Sequence, residues 1–577
     1  MEYLKIEDLP KHLKKFVVDQ NYERYTWEDQ AVWRYIMRQL KDFLTSNAHE
    51  AYLDGLMNTG LSIETIPHIE EMNRALNKFG WSAIPISGFI PPAAFMEFQS
   101  LGVLPIASDI RTIDHILYTP APDIVHESAG HAPILIDSEF SRYLRQYAEV
   151  ATKAIFCKED LEMYDAIRNL SDIKEHPEST TEQIKQAEVQ LEKISKTIRF
   201  VSEAAYLSRM NWWTAEYGLI GDVRNPKIFG AGLLSSIGES RSCLKENVKK
   251  IPLTVECLDF SYDITEKQPQ LFVAEHFETL TNVLEEMAEG MSYRKGGQFG
   301  LKRAIEAQTV NTIQLNSGIQ ISGVVDSFIE KDGKVIFVKT KGPSQISYKG
   351  IQLEGHGVDF HKDGYSTPIG KLADGTELSG CDHNCLLDHG LELNKVCHLV
   401  YGSGIELFGT LKRATYKKES LVLLTFQEAT VKYQNELLFR PEWGTFDLAV
   451  GYNIPSVFGG PADREQYENP DEYNVQIIPP KKASFVEKSQ FDFYSRIRKV
   501  RQNDPISYGE WESLVQEYQK HFSDHWLMGL ELLELGNHLN APNCDQLRAH
   551  IQSFSAQNSS LAELIENGLR LSNRLWI

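Results

Sequence analysis

Apolar residues recur at helical intervals through the first half of the chain and at intervals of two through much of the second. Between Thr26 and Leu44 (TWEDQAVWRYIMRQLKDFL) a Thr-x-x-Asp start precedes apolar positions three and four residues apart, which predicts a capped amphipathic helix. Residues 277–291 (FETLTNVLEEMAEGM) predict another. The stretch 158–198 is heavily charged. Within it Ser179-Thr-Thr-Glu182 predicts a capping box, and Ile184, Ala187, Leu191, Ile194 and Ile198 form an apolar stripe suited to one arm of a helical hairpin. Such a pair serves as an oligomerisation arm, a lid or plain surface decoration. From about residue 310 the pattern turns to strand–turn–strand. TIQLNSGIQISG and FIEKDGKVIFVKT are two such units, with Asn316-Ser-Gly318 and Asp332-Gly333 as turns. Asp-Gly pairs at 363–364 and 374–375, then IELFGTLKR and SLVLLTFQEATVKY, carry this texture to about 440. A Pro/Gly/acidic stretch follows, and EWESLVQEYQKHF and LAELIENGLRLSNRL return to helical spacing.

These patterns predict a multidomain α+β protein. A mostly helical part runs over 1–305 with the charged helical insertion at 158–198. A β-rich domain spans 306–450, a linker 451–486 and a helical C-terminal region 487–577. With 577 residues, several hydrophobic cores are expected. A net charge of −21 argues against nucleic acid or an anionic membrane as the main partner and leaves small-molecule partners; an oligomer is compatible with it. Seven cysteines without framework spacing point to a reducing compartment. The opening MEYLKIEDLPKHLKKF has no apolar core of the kind a secretory signal needs, and no run approaches the roughly 18 apolar residues of a membrane span. A cytoplasmic protein is expected.

The densest chemistry lies in His126-Glu-Ser-Ala-Gly-His131. Two imidazoles five positions apart differ from the H-E-x-x-H zinc-peptidase spacing, in which i and i+4 share a helix face. Five residues on an ideal α-helix turn about 140°, so the two rings would point apart. Gly130 offers a resolution: a left-handed residue there would end the helix and return His131 from the following loop. The alternative is a pair of ordinary polar histidines at a helix end. Two further blocks weigh against that alternative: Asn211-Trp-Trp-Thr-Ala-Glu-Tyr-Gly-Leu219 and Phe229-Gly-Ala-Gly-Leu-Leu-Ser-Ser-Ile-Gly-Glu239. Glu216 stands among aromatic and small residues, where a carboxylate needs a cation. His126, His131 and Glu216 would complete a two-histidine, one-carboxylate triad of the kind that holds iron(II) with one face open.

The ordered text Y-T-P-x-P-D-I-x-H-E-x-x-G-H-x-P, then W-x-T-x-E-x-G-L, then G-A-G-L-L-S-S-x-G-E resembles the tetrahydrobiopterin-dependent aromatic amino acid hydroxylases. The resemblance covers roughly residues 20–290, about half of the chain. It implies a mostly helical, basket-like catalytic domain binding Fe(2+) and tetrahydrobiopterin or a related reduced pterin. By resemblance, His126, His131 and Glu216 are the metal ligands, and Glu127 is the pterin-side acid. Arg111, eight residues before Thr119, is the clamp for the amino acid carboxylate. Thr119, Ser235, Ser236 and the Gly232 backbone would hold the amino acid's polar end, and Trp212 and Pro120 would contact its ring.

Tryptophan hydroxylases tend to carry Phe at the position of Trp212, and tyrosine hydroxylases an Asp where the loop Tyr262-Asp-Ile-Thr-Glu-Lys-Gln-Pro269 has Ile264. An apolar Ile264 cannot hydrogen-bond a phenol, which favours phenylalanine, with conversion to tyrosine using O2 and the reduced pterin. Tyrosine or tryptophan hydroxylation, a zinc hydrolase, and a catalytically silent regulatory protein are the alternatives. The chain departs from the family in Asn211, Phe229 and Ala121, and in a His131-to-Glu216 interval about twice the usual length. Cys381-Asp-His383-Asn-Cys385, with His389, Cys397 and His398, has zinc-capable spacing, but buried free cysteine is the commoner outcome. No metal is assigned there.

Overall fold

The computed structural model describes residues 6–86, 90–117, 122–175, 179–196, 198, 200–262, 267–467, 485–502, 507–557 and 559–573. Thr119, Pro120, Ala121 and Ile264 lie outside these residues, as do 468–484 of the expected linker. The first half is helical around a large core in which Trp33, Trp81 and Trp213 are fully buried. Its longest helix, Trp27–Asn47, begins as its sequence predicts: Thr26 Oγ1 accepts from Asp29 N at 3.1 Å, and the Asp29 carboxylate accepts from Thr26 N at 2.7 Å.

That helix is amphipathic in sequence yet buried almost all round, because the C-terminal helices cover its polar side. Phe485–Gln502, Trp526–His538 and Ser559–Leu571 all pack on it. Arg34 and Arg38, 2% and 5% exposed, therefore need anions. Glu531 takes the Arg34 fork at 2.9 and 2.6 Å, Glu534 pairs with Arg38, and Arg501 reaches Glu534 at 2.8 Å and Glu531 at 3.2 Å. The C-terminal region is thus an integral layer on the first half, joined through a buried ionic network.

The charged segment forms two helices packed side by side, Lys158–Glu175 and Thr181–Ser195. The capping box sits one residue later than its expected position, on Thr180 and Gln183. The helix begins at Thr181, which makes Thr180 the cap, and Gln183 Oε1 accepts from Thr180 N at 2.7 Å. Ala187 is buried and Ile184, Leu191 and Ile194 are half-buried, whereas Ile198 lies past the helix and is 40% exposed.

Two antiparallel sheets form the β-rich part. One runs Ile351–Gln352, Lys334–Tyr348, Ile319–Lys331, Val310–Gln314, Ser456–Gly459, with Ser366–Pro368 also on Lys334–Tyr348. The other runs Val396–Val400, Ile405–Lys417, Ser420–Tyr433, Glu436–Phe439, with Phe446–Ala449 on Ser420–Tyr433. The tight turn predicted at Asp332-Gly333 has φ of 51° and 75°, the positive pair a two-residue hairpin needs. Two expectations are corrected. Ser456–Gly459, inside the stretch read as linker, is a strand paired with Asn311–Gln314, with Val457 buried in the sheet core. The boundary at 305 falls within the helix Gly297–Ala307, whose Leu301, Ala304 and Ala307 pack into that sheet's core. The two sheets exchange core residues, Ile336 and Phe337 going one way and Val422, Leu423 and Ala449 the other. Among the described residues no helix is long and apolar enough to cross a membrane.

Candidate metal and substrate site

The two histidines occupy a π-helix, Val125–His131, not an α-helix broken at Gly130. Ala132 N donates to Glu127 O at 3.3 Å, an i→i+5 bond. A π turn closes after five residues, so positions five apart return to one side and the 140° divergence disappears. Gly130 keeps right-handed backbone, contrary to the expected left-handed stop. Its lack of a side chain serves packing instead: a Cβ would stand 2.6 Å from the carbonyl oxygen of Ala231. The second block repeats the device. Trp212–Glu216 is also a π-helix, closed by Tyr217 N donating to Trp212 O at 2.8 Å, and it aims Glu216 at the histidines.

The three side chains meet. Glu216 Oε2 lies 3.3 Å from His126 Nε2, and Glu216 Oε1 lies 3.2 Å from His131 Nε2. One ligand atom from each falls within 4.8 Å of the others. Burial works against the Glu216 charge, but the imidazoles of His131 and His126 outweigh it and hold the carboxyl well below the usual range. Glu127 is 4% exposed and lies close enough to His131 and Glu216 to feel their charge, and its Oε2 has no hydrogen-bond partner among the described residues. Burial pushes its carboxyl up to about 8, against the pull of His131 and with a further push from Glu216.

Ser235 and Asp123 orient this centre. Ser235 Oγ lies 3.1 Å from His126 Nδ1 and donates to Ala231 O at 2.7 Å, so the hydroxyl expected to hold a substrate is engaged with the His126 ring. Asp123 accepts four bonds: from Arg111 N at 2.9 Å, Arg111 Nε at 2.8 Å, Arg111 Nη2 at 2.7 Å and His126 N at 3.0 Å. One buried carboxylate thereby fixes both the predicted substrate clamp and the start of the turn that carries the two histidines. Burial opposes its ionisation, yet Arg111 and the N–H donors hold it below the ordinary range. Arg111 Nη1 is turned toward Ser235 O at 3.4 Å. Asp123 had no role in the sequence reading, although an acid three residues before His126 in an apolar stretch was the available signal.

Trp212 is stacked between Tyr217 at 4.4 Å and Tyr262 at 4.3 Å, an aromatic layer that sequence reasoning did not foresee. Asn211 Nδ2 donates to Glu216 Oε1 at 3.5 Å, giving this departure from the family pattern a contact with the carboxylate itself. Phe229 is fully buried against Phe140 and Phe277. Gly232 sits in the short helix Ala231–Leu234, where a Cβ would come within 2.9 Å of the Tyr217 ring. Ser236 caps the next helix and donates to Leu117 O at 3.3 Å.

The chain is similar to a family of known proteins. The family model of the biopterin-dependent aromatic amino acid hydroxylases matches residues 14–155 and 186–331, so the match is interrupted within the charged hairpin. The phenylalanine-4-hydroxylase of Mesorhizobium japonicum is 28% identical over 274 residues, 47% of this chain and 83% of that protein. The phenylalanine-4-hydroxylase of Pseudomonas aeruginosa is 28% identical over 271 residues, 46% of this chain and 86% of that protein. A crystal structure of Chromobacterium violaceum phenylalanine hydroxylase with bound iron(III) and 7,8-dihydrobiopterin aligns at 24% identity and a TM-score of 0.38, covering 48% of this chain and 85% of that one. All three motif blocks fall within the matched residues, and the chain belongs to the biopterin-dependent aromatic amino acid hydroxylase family.

Proposed function

We propose that this chain is an iron- and reduced-pterin-dependent monooxygenase that hydroxylates phenylalanine to tyrosine. The observation that carries the reading is the convergence of His126, His131 and Glu216 in a chain of this family. The donor set fits ferrous ion: two imidazoles and one carboxylate, the combination that leaves coordination positions open for other ligands. Their 3.2 and 3.3 Å separations also suit neighbouring ligands of one ion. Bound iron, with O2 and the reduced pterin, would supply the oxidising chemistry, one oxygen atom entering the ring and the other leaving on the pterin.

The protein's own contribution is orientation. Asp123 holds two guanidinium nitrogens of Arg111, and Nη1, turned toward Ser235 O, keeps an N–H for a substrate carboxylate, while Ser235 Oγ sets the plane of His126. The Trp212 layer gives a substrate ring an apolar wall next to Glu216. Glu127, protonated near neutral pH by its burial, holds a proton beside the centre that it can share with a polar cofactor edge. Relatives named phenylalanine-4-hydroxylase and the apolar Ile264 together favour phenylalanine over tyrosine. The proposed substrate contacts of Thr119, Pro120 and Ser236, and the Gly232 backbone, rest on the family pattern. The test is product analysis of iron-reconstituted protein given a tetrahydropterin and each aromatic amino acid in turn. Tyrosine from phenylalanine is expected, with loss of product and of bound iron in His126→Ala. Turnover of tryptophan alone, or full iron content in His126→Ala, would overturn the assignment.

A further inference from the structure

The β-rich part contains a second group of two histidines and an acid, distant in sequence from the first. His356 and His361 lie on the long connection between Ile351–Gln352 and Ser366–Pro368, again five residues apart. Asp447 lies on the strand Phe446–Ala449 of the other sheet. All three are buried, at 6%, 8% and 3% exposure. His356 Nδ1 is 3.2 Å from His361 Nε2 and 3.8 Å from Asp447 Oδ2, and the three ligand atoms lie within 4.8 Å of one another.

The surroundings hold these groups in place. Ile346 N donates to His356 O at 2.9 Å and Ser344 N to His361 O at 3.1 Å, pinning the connection to the neighbouring strand at both histidines. Gly364, with φ of 122°, lets the connection press against Thr340, where a Cβ would lie 2.5 Å from the Thr340 carbonyl oxygen. Tyr365 donates to the Asp447 backbone oxygen at 2.6 Å, and Thr425 donates to Asp447 Oδ1 at 2.6 Å. Asp447 Oδ2 is buried without a hydrogen-bond partner among the described residues, and it faces His356 at a distance too long for such a bond. Two imidazoles carried on a pinned backbone, 3.2 Å apart, and a buried carboxylate oxygen left open beside one of them are what an ion would complete. Ligands 2.0–2.1 Å from a tetrahedral ion stand about 3.3 Å apart, close to the 3.2 and 3.8 Å found.

We propose that His356, His361 and Asp447 form a second, structural site for a divalent transition ion of the zinc type, tying the two sheets together. Imidazole and carboxylate donors suit such an ion, and the burial of all three favours a structural role, although three protein donors leave the fourth tetrahedral position to another ligand.

The test uses the full chain carrying His126→Ala and His131→Ala, stripped with chelator, reloaded with Zn(II), dialysed and analysed for metal. One zinc per chain is expected, falling to none when Asp447→Asn or His361→Ala is added, and the thermal midpoint should rise on reloading only while the site is intact. Zinc X-ray absorption on the His126→Ala/His131→Ala protein reads the donors without touching the site, and should show nitrogen and oxygen neighbours with imidazole scattering. No bound zinc, zinc unaffected by Asp447→Asn, or a sulfur shell from Cys381 and Cys385 would each overturn the proposal. In the structure those two sulfurs are bonded to each other, with Cα atoms 5.1 Å apart, correcting the expectation of free cysteines. The C-x3-C spacing across the first turn of the helix His383–Asp388 brings them together, and His389 Nδ1 lies 3.9 Å from Cys385 Sγ.

Discussion

Replacing Asp123 by Asn removes a charge while keeping the side chain's shape. Each Asp123 oxygen accepts two bonds: Oδ2 from Arg111 N and Nε, Oδ1 from Arg111 Nη2 and His126 N. All four partners are donors, so the amide NH2 of Asn must face two of them whichever way it flips. Two bonds are lost, two buried donors are stranded, and Arg111, 5% exposed, loses its counter-charge. At about 1–3 kcal/mol for each stranded donor, and about 3–5 kcal/mol for breaking a buried ion pair, a total near 3–5 kcal/mol is expected, since the two counts overlap. Part of this loss should appear at the site, because Arg111 is no longer held to receive the amino acid. Urea unfolding gives the stability term. Initial rates against phenylalanine at saturating pterin give the functional one, where KM should rise tenfold or more with little change in KM for pterin. An unfolding free energy within about 1 kcal/mol of the parent, together with a KM for phenylalanine within twofold, would refute this role for Asp123.

Three further outcomes are expected. Gly130→Ala puts a Cβ 2.6 Å from the Ala231 carbonyl oxygen, so the π turn and the Ala231–Leu234 helix must separate; about 1–3 kcal/mol of stability and most of the hydroxylation should be lost, and unchanged activity would mean the contact is not needed. Burial opposes the Glu531 charge, but Arg34 and Arg501 outweigh it and hold its folded pKa below the unfolded one. Its stabilisation is therefore fully present above about pH 4.3 and is lost as pH falls through the folded value; urea midpoints followed into acid should drop faster in the parent than in Glu531→Gln, which is already weakened by about 3–5 kcal/mol at neutral pH. Parallel acid profiles for the two proteins would contradict the network. Ile264→Asp should raise turnover of tyrosine relative to phenylalanine in a competition assay, and an unchanged ratio removes Ile264 from the specificity argument.

Local chemistry was legible in the sequence. Thr26 and Asp29 cap a helix, and Asp332-Gly333 closes a hairpin, because each depends on neighbours a few residues away. The candidate ligands stood out too, since His126, His131 and Glu216 stand in motifs whose residue order carries the family resemblance. The geometry that joins them did not. An α turn and a π turn differ by one step in hydrogen-bond register, and no residue preference signals that step; it goes with the close packing of Gly130 on Ala231, about a hundred residues away. Arg34 and Arg38 are polar positions of an amphipathic pattern, and their partners Glu531 and Glu534 come from the far end of the chain. His356, His361 and Asp447 carry no motif that links them, and only the packing of two sheets makes them neighbours. Sequence determines what can form within a few residues and which donors are available. Long-range packing decides which buried charges meet, because a buried charge or polar group must find its partner wherever the fold brings one.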